Sequence, residues 1–279
     1  MDALTRPTTS KGIALGQRYG ADALPPAGPW NETIGTLLAH RSVRGYLPDA
    51  LPAGTLETLI AAAQSAATSS NMQFWSAVAV TDPAKKKMLA EIAGGQKHIE
   101  QCPLYIAWVA DLSRNERLGA AENTTLECLP YLETFTVACI DAALAAQNAV
   151  IAAQSIGLST VYIGAMRNDP VRVAELLGLP LRAFVVFGLC VGYAAPKAGG
   201  EVKPRLPQAT VLHRERYDAG KEPAEVKAYD AEMARFSQRN EMQATSWTSR
   251  VLGRMGPLKS MNGREKIRAA LATLGFEIR

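Results

Sequence analysis

Between about residues 30 and 192 the apolar and polar positions form a regular succession of helix and strand signals. A helix over 31–40 starts near Trp30 or Asn31, and the stretch Pro48 to Pro52 breaks the pattern. Over 53–67, Leu56, Leu59, Ile60 and Ala63 recur at helical spacing. Thr68-Ser69-Ser70-Asn71 reads as a polar loop. Residues 76–81 alternate as a strand does, and Asp82-Pro83 stops them. A short helix over 85–93 ends at Gly94-Gly95. A second strand spans 104–110. A long Ala-rich helix then covers 131–156, stopped by Gly157 and predicted to be buried on nearly all sides. The third strand is 159–163. Asp169-Pro170 opens a helix through 177 that closes at Gly178. The fourth strand, 183–191, is apolar on both faces and is expected to lie centrally in its sheet. This order predicts a layered α/β or α+β core.

The pattern changes at both ends. Residues 193–205 are rich in Pro and Gly, and from Lys221 onward the chain is charged. There Val226, Tyr229, Met233 and Phe236 recur at spacings of 3, 4 and 3, a narrow apolar seam on a charged helix. Such a seam suits an arm lying across another surface, for example a partner subunit's; an ordinary surface helix on its own domain is the alternative. The first twenty residues have no apolar core of the signal-peptide kind. With Pro25-Pro26-Ala27-Gly28-Pro29 they read as a loose arm. The expected organisation is a flexible arm over 1–30, a core over 31–220 and a C-terminal helical arm over 221–279.

Composition narrows the function classes. The 279 residues are 48% hydrophobic and 20% charged, ordinary values for a soluble globular protein. The net charge of +4 comes from cations scattered among acids and gives no argument for nucleic-acid binding. The longest uncharged stretch, 142–166, carries Gln147, Asn148, Gln154 and Ser155. It is too polar for a membrane span. Four cysteines form no Cys-x-x-Cys, which fits buried, reduced thiols in a cytoplasmic protein. None of the three histidines has metal-ligand spacing, so no metal is expected. No dinucleotide-binding glycine fingerprint, phosphate-loop motif or serine nucleophile elbow occurs.

Two distant basic motifs carry the candidate chemistry. His40-Arg41-Ser42-Val43-Arg44 sets two guanidiniums and a hydroxyl close together, and Lys203-Pro204-Arg205 adds two cations in a proline-stiffened loop. Converging, they would hold a phosphate or similar anion; two separate solvated basic patches are the alternative. The cluster Ser69, Ser70, Asn71 and Gln73 could read an imide edge through paired donors and acceptors. Gly94-Gly95-Gln96-Lys97-His98 is a polar knot on a tight turn. Tyr162-Ile163-Gly164-Ala165 ends a buried strand where backbone can approach a flat ligand.

These segments, with Ala67-Thr68-Ser69-Ser70, Ala146-Gln147-Asn148-Ala149, the Phe187–Gly192 run and Val202–Pro207, resemble the nitroreductase superfamily of FMN enzymes. The resemblance is strongest to the oxygen-insensitive NADPH nitroreductase A and flavin reductase P type. It implies an α+β fold: a central mixed sheet flanked by helices, in a homodimer whose C-terminal arm wraps the partner. It also implies FMN as cofactor, with NADPH or NADH as cosubstrate. His40, Arg41, Ser42, Arg44, Lys203 and Arg205 would hold the phosphate and ribityl chain. Ser69, Ser70, Asn71 and Gln96 would contact the isoalloxazine, and Tyr162, Ile163, Gly164 and Ala165 would line the ring through backbone. The flavin would carry the chemistry with no obligatory catalytic side chain. It would deliver two electrons by ping-pong hydride transfer to nitroaromatics, quinones or flavins. A flavin reductase feeding a monooxygenase and a flavin-binding protein without turnover are the alternatives. One departure bears on the cosubstrate. Where the nearest relatives carry Arg before a Thr-Trp pair, this chain has Gln243 and Ala244, with Glu241 nearby. Arg239 or Arg250 could substitute.

Overall fold

The computed structural model describes residues 10–20, 23–26, 28–196, 198, 200–243 and 246–279. In chain order the helices and strands are α1 (Lys11–Tyr19), α2 (Glu32–Leu38), α3 (Thr55–Gln64), β1 (Trp75–Val80), α4 (Pro83–Ile92), α5 (Lys97–Gln101), β2 (Leu104–Asp111), α6 (Ser113–Ala121), α7 (Leu132–Ser155), β3 (Ser159–Ile163), α8 (Pro170–Leu177), β4 (Ala183–Gly192), α9 (Gln208–Val211), α10 (Glu222–Arg239), α11 (Trp247–Met255) and α12 (Ile267–Thr273). Local chemistry sets several boundaries. Asn31, Asp82 and Asp169 each accept a hydrogen bond from the backbone N–H three residues on, and proline occupies the first turn of α4 and α8. Gly178 closes α8 in the left-handed conformation.

The chain divides into two units, Ser42–Gly199 with Asn262–Arg279, and Met1–Arg41 with Gly200–Met261. The divisions fall at 41/42, 199/200 and 261/262 rather than at the expected 30/31 and 220/221.

The larger unit holds a four-stranded sheet in the order β1-β2-β4-β3, every named pairing antiparallel. The α+β class is as expected. The expected mixed sheet is met only by an isolated parallel bridge between Ser42 and Thr160. The two-residue period of β2 sorts its side chains. Leu104, Ile106 and Trp108 pack with α3 and α7 on one face; Tyr105, Ala107 and Val109 pack with α4 and α5 on the other. All eight β2 residues are buried, which is why the strand reads as an unbroken apolar run. Gly188 on β4 is required by its neighbour, since a Cβ there would lie 1.8 Å from the Tyr105 hydroxyl oxygen. α12 belongs here and not to an arm. Leu271, Leu274 and Phe276 pack with Phe184 and Phe135, and the Arg182 N–H donates to the Leu274 carbonyl at 2.7 Å.

α7 departs from the reading as a helix buried almost all round. Ala142, Ala145, Ala146, Ala149 and Ala153 are buried against the sheet, but Leu132, Ile140 and Leu144 are exposed. By length and apolar content the helix would qualify as a membrane span. Its alanine face is instead the floor of the core, where small side chains allow close approach to α3 and β2. The cysteines are free. Cys102 and Cys190 are buried, Cys139 is half-buried and Cys128 is exposed, so uniform burial of the thiols does not hold.

The smaller unit contains α1, α2, α9, α10 and α11. Residues 11–19 form a helix where a loose arm was expected. The seam on α10 is covered within its own unit. Tyr229, Met233 and Phe236 are buried with Leu206, Met242 and Trp247, and the Tyr229 and Trp247 rings meet edge-on at 6.0 Å. Val226 is half-buried. The seam therefore gives no argument for a partner surface, because folding already removes its apolar area from water.

Candidate functional site

The predicted site residues divide between the units. Ser42, Arg44, Ser69, Ser70, Asn71, Gln96 and Tyr162 to Ala165 lie in the larger one; His40, Arg41, Lys203 and Arg205 lie in the smaller.

In the larger unit an extended segment runs along the edge of the sheet. The Val43 N–H donates to the Thr160 carbonyl at 3.0 Å, and Val43 is 1% exposed. With residue 43 turned inward, alternation turns Ser42 and Arg44 out, and both are exposed. Tyr46 secures the far end through a hydrogen bond from its hydroxyl to the Cys190 carbonyl at 3.3 Å. Two residues past the bridge, β3 ends at Tyr162 and buried Ile163. A tight turn follows over Gly164–Asn168, with Ala165 and Met166 buried. The Tyr162 ring stands edge-on to Phe187 at 4.9 Å, and its hydroxyl donates to the Gln147 Oε1 at 3.3 Å. The Arg167 guanidinium folds beneath Gly164 and donates to the Val186 carbonyl. Burial lowers its pKa.

That turn is tied to the second predicted knot. Asn168 Nδ2 donates to the Ile92 carbonyl at 3.2 Å, at the end of α4. The chain then passes through Gly94 and Gly95, at φ +80° and +79°, with open space where each Cβ would stand. Gln96 turns its amide back to the Ala93 carbonyl at 2.9 Å. His98 is buried, and burial, then the charge of Arg44, lowers its pKa below the ordinary 6.5. Ser42 is thus bridged to β3 at Thr160, and Asn168, at the end of the turn after β3, is bonded to the end of α4 two residues before the Gly94–Gln96 turn.

The Ser69–Asn71 turn is held by a group that the motifs do not announce. Asp141 of α7, 1% exposed, accepts from the Ser69 N–H at 3.2 Å and from the Phe74 N–H at 3.1 Å. Between these anchors Ser70, Asn71 and Gln73 adopt φ of 48°, 56° and 52°. Left-handed backbone at non-glycine residues costs on the order of 1 kcal/mol each and persists only where the surroundings impose it. A second acid supplies the other side. The Asp111 carboxylate accepts from the hydroxyls of Ser76 and Ser113, both at 2.5 Å, and Arg114 donates to Ser76 at 2.9 Å and to the Gln73 carbonyl at 3.2 Å. Burial pushes the Asp111 carboxyl up, but the bonds from Ser113 and Ser76 outweigh it and hold the pKa below its usual value.

In the smaller unit, Arg41 donates to the Gly200 carbonyl at 2.8 Å. Lys203 lies with its ammonium 6.0 Å from the Phe236 ring centroid, a cation–π geometry at the edge of its range. Arg205 is exposed, and among the described residues its guanidinium reaches only the carbonyls of Lys203 and Pro204, at 3.3 and 3.4 Å. The backbone of this motif is pinned. The Arg205 N–H donates to the Arg18 carbonyl at 2.8 Å, and the Tyr229 hydroxyl donates to the Pro204 carbonyl at 2.9 Å. Of the stretch expected to bear on the cosubstrate, Ala244 lies outside the described residues. Gln243 is exposed. Arg239 is paired with Glu201 at 3.2 Å, and Arg250 donates to the Ser237 hydroxyl at 3.3 Å.

The arrangement fits a flavin mononucleotide. In the larger unit exposed Arg44 and the Ser42 hydroxyl suit a phosphate, and in the smaller unit so does exposed Arg205. The glycine turn leaves open space at Gly94 and Gly95, and β3 runs into a turn with buried Ile163 and Ala165. The buried Thr160 Oγ1 and His98 Nε2 have no hydrogen-bond partner among the described residues and remain available for a ligand or water. Four residues central to this geometry have no signature in the sequence: Asp141, Asp111, Arg114 and Arg18. Asp141 and Arg18 act on backbone atoms of distant segments, Arg114 on the Gln73 carbonyl and the Ser76 hydroxyl, and Asp111 on the hydroxyls of Ser76 and nearby Ser113; only the buried acid in the alanine helix hints at a structural duty.

Comparison with known proteins agrees. The nitroreductase family model matches residues 37–193, and the nitroreductase family C-terminal domain matches 203–279. The chain is 37% identical over 230 residues to the FMN reductase (NADPH) of Bacillus subtilis, covering 81% of this chain and 92% of that one. It is 34% identical over 221 residues to the oxygen-insensitive NADPH nitroreductase of Salmonella typhimurium, covering 78% and 89%. Among solved structures, NfrA2 of Bacillus megaterium superposes with a TM-score of 0.83 at 37% identity, covering 90% of this chain and all of that one. With a family model over more than half of its length and relatives 34% and 37% identical that cover most of it, this chain belongs to the nitroreductase family.

Proposed function

We propose that the protein is an FMN-dependent NAD(P)H oxidoreductase that makes two-electron reductions of nitroaromatics, quinones or free flavins. The observation that carries this reading is the set in the larger unit: Ser42 and Arg44 beside β3, the Tyr162–Ala165 turn, and the Gly94–Gln96 turn that follows Ile92, whose carbonyl accepts from Asn168. The names of the relatives, an FMN reductase and an NADPH nitroreductase, support it. FMN, when bound, supplies the redox chemistry, taking a hydride from a nicotinamide and giving two electrons to an electron-poor acceptor. The residues of this chain bind and orient. His40, Arg41, Ser42, Arg44, Lys203 and Arg205 hold the phosphate and ribityl chain. Ser69, Ser70, Asn71 and Gln96 face the isoalloxazine with donors and acceptors, and the backbone from Tyr162 to Ala165 lines it. No side chain is assigned as an obligatory acid, since water can supply protons.

The protein acts as a homodimer in the cytoplasm. The exposed Leu132, Ile140 and Leu144 of α7 support the dimer, as apolar side chains on one helix left uncovered by the described residues. The cosubstrate is NADPH or NADH, with weaker discrimination between them than in relatives carrying guanidiniums near the Thr-Trp pair. Gln243 offers no charge to a 2′-phosphate, and Arg239 is engaged by Glu201. Losing one charge-assisted contact is worth about 1.5–3 kcal/mol, roughly ten- to a hundredfold in kcat/KM. Steady-state kinetics with both nicotinamides, on a nitroaromatic and on free FMN, test the reading. Turnover with either nicotinamide supports it. An NADPH preference above about a hundredfold would show that another cation meets the phosphate.

A further inference from the structure

The helix α1 precedes the matched family region, and one of its side chains reaches the cofactor motifs. Arg18 is 5% exposed. Its guanidinium donates to the Lys203 carbonyl at 2.8 Å, to the His40 carbonyl at 3.0 Å and to the Leu38 carbonyl. Its own carbonyl accepts from the Arg205 N–H at 2.8 Å. One residue therefore binds both basic segments, which are about 160 positions apart in sequence, by three hydrogen bonds, with a fourth to Leu38. All three acceptors of the guanidinium are neutral carbonyls, and no carboxylate pairs with it among the described residues. A cation removed from water without a counter-ion is costly. The cost is visible in a pKa lowered to about 10 by burial and then by the like charge of Arg205. A structural tie between two loops needs no charge, and this position could be served by a neutral donor. An anion arriving at the His40–Arg41 and Lys203–Arg205 segments would supply the missing counter-charge.

We propose that Arg18 is a positioning residue for the cofactor phosphate. It fixes the backbone of the His40 and Lys203–Arg205 segments in register and adds an uncompensated positive charge behind them. The inference rests on the reading of these segments as phosphate ligands. Its consequence is specific: the residue favours FMN over the same flavin without its phosphate.

The test is binding of FMN and of riboflavin to the flavin-stripped full-length chain, followed by quenching of flavin fluorescence, with thermal melting in parallel. The unaltered protein should bind FMN much more tightly than riboflavin. Similar affinities would sink the phosphate reading itself, separately from the role of Arg18. Arg18→Met should lower the FMN-to-riboflavin affinity ratio by about tenfold or more while riboflavin binding changes little. A merely structural role predicts equal losses for both ligands and an unchanged ratio, and that result overturns the proposal. Should Arg18→Met fail to fold, Tyr229→Phe removes only the bond to the Pro204 carbonyl and tests the same backbone register. It should lower the ratio by about threefold, and Arg18→Lys, which keeps the charge with fewer bonds, should fall between the two. An unchanged ratio in both of these variants overturns the proposal equally.

Discussion

Arg205 is exposed and, among the described residues, its guanidinium bonds only the backbone beside it, so truncating the side chain should leave the fold intact. Arg205→Ala is expected to weaken FMN binding by one to two decades, the worth of about one charge-assisted hydrogen bond. Equilibrium titration of the stripped protein checks this, and its melting temperature without flavin should not move. His98 gives a pH signature. Its folded pKa is depressed, so above 6.5 it is neutral whether the chain is folded or unfolded, and its contribution is complete. As the pH falls through 6.5 the unfolded chain takes up a proton that the folded one refuses. Stability drops until the folded pKa is reached and then levels off. Urea melts between about pH 8 and pH 5 should show that decline. His98→Gln should flatten it, and an equal slope in the variant would assign it to other groups. At this scale the basic motifs and the glycine turn were legible in the sequence because their chemistry is local. Arg18, Asp111, Arg114 and Asp141 were not, because each has partners far away in the chain: carbonyls for Arg18 and Arg114, N–H groups for Asp141 and the Ser76 hydroxyl for Asp111. No spacing rule encodes such a contact.

Among the elements, those with strong punctuation agreed best. β3 spans the predicted 159–163 without change, and α8 runs from Pro170 to Leu177 between its proline and its glycine. α1, α5 and α6 were missed. The first reads as a polar arm, and the other two are short helices whose stability comes from tertiary packing rather than a periodic apolar face. The errors on α7 and α10 have one cause. A hydrophobic pattern states how much apolar surface an element carries, and it does not name what covers it. The α10 seam is buried by Leu206, Met242 and Trp247 of its own unit, while the outer stripe of α7 is left bare. The dimer prediction therefore moves to α7. Light scattering should give twice the 29.9 kDa chain mass. Leu144→Glu, which places a charge in that stripe, should shift the population to monomer without unfolding it. A dimer unaffected by charges at both Ile140 and Leu144 would place the interface elsewhere.

For the whole molecule, the division into two units follows neither the arm nor the core expected from composition. The last residues return to the sheet through Leu271, Leu274 and Phe276, and α1 shares a unit with α10 instead. Composition shifts mark where solvent exposure changes, not where chain segments meet. The order of motifs carried more information than their surroundings, since the family model covers 37–193 and its C-terminal companion 203–279. The central claim is that these motifs assemble a working flavin site. The most direct measurement is the visible spectrum of the FMN-reconstituted protein under anaerobic conditions, before and after addition of NADPH or NADH. The account predicts about one bound flavin per chain, given a single set of these motifs, and rapid bleaching of its visible bands by at least one nicotinamide. Bound flavin that neither nicotinamide bleaches would contradict it, and so would a protein that retains no flavin at all.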